Sequence, residues 1–256
     1  MLRGGVTRST ARPDYNQILG GRIIQDDRDR ITEGNPNLKP LTSTNYDLSF
    51  EWYFTSAGLF SVGTFYKDIK NFVFSNVRTV TETPYVGWLL TRPENGPHST
   101  LHGYEMSYSQ TFRTLPAPFN GLGFQGNFTR LDGSSDLPNA RGTVNRLIDQ
   151  PKNTYNLQLS YAKAPFNVRV ACTYNGDYVR SFNATSATLD AWTGQLKTYD
   201  ASVNYTIRPG WQLFLQGKNL GNVITKYAYQ GTDRLDRPTE LEFVGWTMTG
   251  GFKLEF

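Results

Sequence analysis

The sequence predicts an all-β chain that crosses a membrane as an antiparallel, up-and-down transmembrane β-barrel of about ten strands. Three observations carry that prediction. Apolar and polar residues alternate over stretches of about nine positions, short Pro- and Gly-rich connections take turns with long ones, and large aromatics crowd the short connections. A tilted membrane strand needs about 9–11 residues, with one face toward lipid and the other toward a polar lumen. Such a chain averages out to a soluble-looking composition, which explains a negative mean hydropathy and 19% charged residues.

The alternation recurs from end to end. In 46 to 54, Tyr46, Leu48, Phe50, Trp52 and Phe54 fall on one face and Asp47, Ser49, Glu51 and Tyr53 on the other. Tyr155, Leu157, Leu159 and Tyr161 oppose Asn156, Gln158, Ser160 and Ala162, and the next segment sets Phe166, Val168, Val170, Cys172 and Tyr174 against Asn167, Arg169, Ala171 and Thr173. Segments of this kind are expected at 1 to 9, 42 to 54, 59 to 75, 100 to 113, 121 to 132, 152 to 163, 166 to 181, 196 to 207, 211 to 220 and 243 to 256. The last is the cleanest, with Val244, Trp246, Met248, Gly250, Phe252, Leu254 and Phe256 sharing a face.

Short connections are expected at 55 to 58, 115 to 120, 164 to 165 and 208 to 210, and long ones at 10 to 41, 76 to 99, 133 to 151, 182 to 195 and 221 to 242. Outer-membrane barrels place tight turns on the periplasmic side and long loops outside, so the C-terminus is expected to be periplasmic. Trp52, Phe54, Tyr161, Phe166 and Trp211 cluster at the short turns, where an interfacial girdle belongs. A soluble sheet with aligned apolar faces this long would leave too much greasy surface for one small core.

Other classes find little support. No apolar run approaches the roughly 20 residues of a membrane helix. A single cysteine, Cys172, excludes an internal disulfide, and with two histidines no Cys/His zinc cluster forms within the chain; no metal or cofactor is expected. The net charge of +4 is interspersed with acidic residues, as in Asp26-Asp27-Arg28-Asp29-Arg30, which argues against nucleic-acid binding. His98, Ser99, His102 and Glu105 lie close in sequence, but no GxSxG or HExxH accompanies them, and the chain is not expected to be an enzyme. Met1 to Val6 carries neither an apolar h-region nor a small-residue cleavage site, so no signal peptide is expected in this single region, 1 to 256.

Several local sequences carry a family likeness. Gly34-Asn35-Pro36-Asn37-Leu38-Lys39-Pro40 resembles the GNPxLKPE element ahead of a barrel strand in TonB-dependent outer-membrane receptors, with Leu41 in place of the usual glutamate. Asn-Pro and Lys-Pro hold the backbone extended or turned before the strand starts. Phe65-Tyr66-Lys67-Asp68-Ile69-Lys70-Asn71-Phe72 is similar to the family's FYxxIxxxI strand ending, and Gly217-Lys218-Asn219-Leu220-Gly221-Asn222 to its NLxN motif. The opening, Arg3 to Pro13, resembles the strand and loop that come before the GNP element. Together and in order they span essentially the whole chain. The terminal Phe252, Leu254 and Phe256 resemble the signal read by the barrel assembly machinery, where an exposed strand edge pairs with a partner edge.

The resemblance implies the C-terminal half of a 22-stranded barrel in the outer membrane of a Gram-negative bacterium. It implies energy-coupled uptake of a bulky nutrient of the siderophore, cobalamin or carbohydrate class, with outer-membrane lipid and the small nutrient ligand as partners. The TonB complex would be engaged through an N-terminal plug region outside this stretch. Aromatics beside charges can grip a sugar ring or a chelate, so the ligand-binding candidates are Tyr85, Trp88 and Arg92, with His98 nearby, in one long loop and Tyr227, Tyr229, Arg234 and Arg237, with Lys226, in another. Two alternatives stay open: a passive porin-like channel tuned by Glu51, Arg169, Lys253 and Glu255, or a truncated receptor without function.

Overall fold

Ten strands follow one another in chain order in the computed structural model, which describes residues 1–138, 144–183, 186–227 and 238–255. They are β1 (Leu2–Ala11), β2 (Leu41–Thr55), β3 (Gly58–Lys70), β4 (Ser99–Thr111), β5 (Leu122–Leu137), β6 (Asn153–Lys163), β7 (Phe166–Asn175), β8 (Leu196–Arg208), β9 (Trp211–Lys218) and β10 (Thr247–Leu254). Each pairs antiparallel with its sequence neighbours to make one meander, the expected up-and-down topology. Among the described residues β1 and β10 do not pair with each other, and both are exposed along their whole length.

Register sorts the two faces. Phe50, Val62, Met106, Phe128, Tyr155 and Tyr174 stand directly opposite one another along a single row across β2 to β7. The adjacent row is Glu51, Ser61, Ser107, Asn127, Asn156 and Thr173. A slip of one residue in any pair would swap the rows, so the alternation of the sequence fixes the pairing.

Neither face is covered by a core. Among the described residues only Ile31, Leu90, Leu137 and Val179 are buried hydrophobics, and all lie at or beyond the long-loop end of the sheet. Tyr46, Leu48, Phe50 and Trp52 remain between 42% and 57% exposed. Apolar rows this long are stable only against another apolar medium, as on the outward face of a transmembrane barrel.

Aromatic rings mark both borders of that face. Near the short turns Trp52 packs on Phe54 at 5.4 Å, Phe166 on Tyr205 at 5.1 Å and Trp211 on Phe252 at 5.3 Å. Near the long loops Tyr46 meets Tyr66 at 6.2 Å, Tyr104 meets Phe128 at 5.9 Å and Tyr155 stacks on Tyr174 at 4.8 Å. Six to eight residues separate the two girdles along a strand, roughly 20–27 Å, close to the height of an outer-membrane apolar band.

Three of the four short connections are tight as expected; the fourth, expected at 115 to 120, runs from 112 to 121 and includes a 3-10 turn at Phe119–Gly121. Ser56-Ala57, Ala164-Pro165 and Pro209-Gly210 each join two strands, and Gly210 has φ +80 with the Glu255 carbonyl where a Cβ would sit. Four strand expectations need correction, the first being 121 to 132, which runs on to Leu137. The segment 59 to 75 breaks after Lys70, because Asn71 turns left-handed (φ 58), and pairing resumes in a separate ribbon at Val73. The segment 166 to 181 stops at Asn175, before Gly176-Asp177, and the terminal strand starts at Thr247, just past Gly245 with φ +72.

The long loops are themselves built from strands. In the first, Arg22–Gln25 pairs with Arg30–Glu33; in the second, Val73–Thr79 pairs with Leu89–Asn95. Residues 30 to 32 then run parallel to 89 to 91, fusing the two hairpins into a four-stranded cap. Tyr178–Ser181 pairs with Ala191–Thr193 in the fourth loop, and Thr225–Tyr227 with Glu240–Glu242 in the fifth.

Candidate functional site

The cap over the first two long loops is held by a small core and an ionic clamp. Ile31 is 2% exposed and sits opposite Leu90, itself 5% exposed. Glu33 accepts from Arg22 Nε at 3.0 Å and Nη2 at 2.8 Å, while Arg92 Nη1 lies 3.5 Å from its other oxygen. Arg92 also donates to Asn35 Oδ1 at 3.2 Å, and Asn35 Nδ2 donates to the Pro93 carbonyl. The GNPNLKP stretch thus ties one loop to the other. Asn95 repeats the device by accepting from Lys39 N at 2.7 Å and donating to the carbonyls of Lys39 and Asn71. Gly34 has no room for a side chain, since a Cβ there would lie 1.8 Å from the Leu19 carbonyl oxygen.

At the tip of the second hairpin, Tyr85 and Trp88 face each other with ring centroids 4.9 Å apart and planes at 53°. Both are half-buried, and the turn that sets them donates from Trp88 N to the Tyr85 carbonyl. Arg92, by contrast, is drawn into the clamp. His98 bonds Asp68 at 2.8 Å, beside the sheet rather than at the tip.

The other candidate loop lies elsewhere. Tyr227 belongs to the Thr225–Tyr227 strand, and Tyr229, Arg234 and Arg237 lie outside the described residues, as does Phe256. No strand pairing among the described residues links the second and fifth loops. The fifth touches the fourth instead, where Gly194 N donates to the Lys226 carbonyl at 2.7 Å. Phe252 and Leu254 stand on the apolar face of β10, opposite Leu213 and Trp211. Asn219 closes the fifth loop at its base: it is left-handed (φ 51), its amide donates to Asp200, and its side chain bonds Val223 and the Gly245 carbonyl. That is the physical content of the NLGN motif.

Sequence reasoning missed a cavity of about 330 Å³ between the third and fourth loops. The Arg146 guanidinium lies 5.3 Å over the Trp192 ring at its wall, and Lys152, Tyr174 and Tyr178 also line it. The Gln150 side-chain oxygen, also at the wall, is buried with no hydrogen-bond partner. Arg146 and Trp192 are 46 residues apart and carry no periodic signal, so only the folded loops bring them together. Below the loops, the lumen face is polar, with Arg3 paired to Glu51, Tyr53 donating to Glu51 at 2.8 Å and Asn156 donating to Asn127 at 3.0 Å.

An open meander of long alternating strands, two girdles and strand-built outer loops is a barrel-wall geometry, and the family model described as "TonB dependent receptor-like, beta-barrel" matches residues 1–220. The chain belongs to the TonB-dependent receptor family. Solved TonB-dependent receptors share its fold. A mutant ferric enterobactin receptor from Pseudomonas aeruginosa superposes with TM-score 0.70 at 18% identity, covering 100% of this chain and 38% of that one. The siderophore receptor PirA of Acinetobacter baumannii gives 0.66 at 19%, with 100% and 39% covered. The ferric-catecholate import receptor Fiu of E. coli gives 0.66 at 15%, with 100% and 33% covered. The chain therefore spans somewhat over a third of the length of the first of these receptors. No curated protein matches it. The family is one of outer-membrane transport receptors, and it accounts for the GNP, FYKDI and NLGN likenesses together.

Proposed function

We propose that this chain forms barrel wall and outer loops of a receptor for energy-coupled uptake of a bulky metal chelate of the siderophore class. The observation that carries the reading is the long-loop end: a clamped cap presents the Tyr85–Trp88 ring pair, and a separate cavity sets Arg146 over Trp192. Rings and cations held on structured loops suit a ligand that is anionic and aromatic, as a ferric catecholate is. The similar receptors named for ferric enterobactin, a siderophore and a ferric catecholate support that class. Tyr227, Tyr229, Arg234 and Arg237 would contribute from the fifth loop. The TonB complex would supply energy through a plug region, outer-membrane lipid would surround the wall, and Phe252, Leu254 and Phe256 would present the last strand to the assembly machinery by edge pairing.

The test is uptake of a radiolabelled ferric catecholate by cells making the receptor that contains this chain. Accumulation should stop when the inner-membrane proton gradient is dissipated, and Arg146→Ala should raise the half-saturating concentration about 5- to 30-fold, the loss of one cation–aromatic contact to the ligand worth about 1–2 kcal/mol. Uptake that persists without the gradient would make the barrel a passive channel and refute the proposal.

A further inference from the structure

Backbone hydrogen bonds preform the cavity between the third and fourth loops. Leu131 N donates to the Lys152 carbonyl at 2.8 Å, Gly176 N to the Asn153 carbonyl at 2.9 Å and Asp149 N to the Val179 carbonyl at 2.8 Å. Strand ends and loops are thereby locked into one frame. The volume, about 330 Å³, sits at the lower end of ligand sites, which run about 300–1,000 Å³. A cavity of about 150 Å³ holds one benzene ring, so three rings need about 450 Å³ before any metal is added. A ferric complex with three aryl groups is therefore too large to enter whole, and one ring with short polar substituents fits.

The walls divide by chemistry. Leu131, Leu147 and Val179 supply aliphatic surface, and Tyr174, Tyr178 and Trp192 supply rings. The Tyr174 hydroxyl is fixed by donating to Gln195 Oε1 at 3.0 Å. Of the charged groups, Lys152 is matched by Asp132 at 2.9 Å and Asp177 is already partnered. Arg146 is left as the exposed cation of the wall with no ion pair among the described residues, and its stacking on Trp192 leaves its N–H fork for a carboxylate. Gln150 Oε1 is buried and unpartnered, a costly state that a hydroxyl donor relieves once the terminal amide turns about its soft last torsion. One unmatched cation, one unmatched acceptor and apolar walls together describe a hydroxylated aryl carboxylate.

We propose that this cavity is a single-ring site selective for a metal-free, hydroxylated aromatic carboxylate. The carboxylate accepts from Arg146, the ring lies against Leu131, Leu147 and Val179, and a hydroxyl donates to Gln150. The inference rests on the uptake reading for the setting of the site and deepens it: a chelate can place one aryl arm here, whereas the free aromatic acid enters whole and needs no iron.

Equilibrium dialysis of the receptor that contains this chain, in non-ionic detergent with iron removed, tests it with radiolabelled dihydroxybenzoate. That acid should bind about tenfold or more tighter than benzoate, which lacks the hydroxyls, and than dihydroxybenzyl alcohol, which lacks the charge. Arg146→Gln should abolish the preference for the acid over the alcohol, and Gln150→Leu the preference for the hydroxylated acid over benzoate. Equal binding of the three ligands, a preference untouched by Arg146→Gln, or tighter binding of a hexuronic acid overturns the proposal. Arg146 is exposed, and the comparison of ligands uses the unaltered protein, so the outcome does not depend on the folding of a variant. Absence of dihydroxybenzoate binding alongside gradient-driven uptake of the ferric chelate removes this inference alone, whereas gradient-independent uptake removes the uptake reading and leaves a measured single-ring site in place.

Discussion

Replacing Ile31 by alanine should make the cap open more often while leaving the barrel wall unchanged. Ile31 and Leu90 are the buried hydrophobics of that four-stranded unit, and they face each other across its one parallel pairing. Large-to-small changes of this type cost about 2–5 kcal/mol where the site cannot collapse. Between its two hairpins the cap has three parallel residue pairs, the Arg92–Glu33 ion pair and the hydrogen bonds of Asn35 and Asn95 to resist that loss. Taking the low end, about 2 kcal/mol, opening of the cap should become roughly 30-fold more frequent. Hydrogen exchange followed by mass spectrometry reads this directly: amides in 22–33 and 73–95 should exchange roughly 30-fold faster, and those in 41–70 should hold their rate. Unchanged exchange in the cap would show that Ile31 does not organise it. A rise shared equally by cap and wall would show that the two are one cooperative unit, and either result refutes the reasoning.

The face assignment predicts that Leu159→Arg destabilises the folded barrel in bilayers by about 2–4 kcal/mol, as a cation at the lipid midplane does, while Gln158→Arg on the lumen side costs about 1 kcal/mol or less, measured by urea unfolding of the same chain. Gly34→Ala should displace the loop stretch from the Leu19 carbonyl, lowering the thermal midpoint of the cap and exposing 34–40 to protease. Glu33→Gln should leave Arg92 half-buried against a neutral amide, costing about 1–3 kcal/mol of cap stability; proteolysis within 22–33 should accelerate accordingly.

What the sequence made legible was whatever had a period. All ten strands of the wall, their facing and the order of short and long connections follow from a two-residue repeat that each strand carries within itself. Strand ends were less visible, because Asn71 and Gly245 end or delay pairing through left-handed backbone that composition does not announce. The loops hid more. Arg22–Gln25 and Arg30–Glu33 are four residues each, too short for alternation to stand out, and they are strands chiefly because the second loop supplies a neighbour. The same difference explains the fate of the site candidates. Tyr85 and Trp88 are three residues apart and pack ring against ring within one turn, whereas Arg92 bonds Glu33 and Asn35, residues nearly sixty positions away. Arg146 and Trp192 form their contact only after two loops have folded against each other. In this architecture the wall is written in local pattern and the recognition surface in long-range contact, so a loop residue's type is weak evidence of its role until its partners are known.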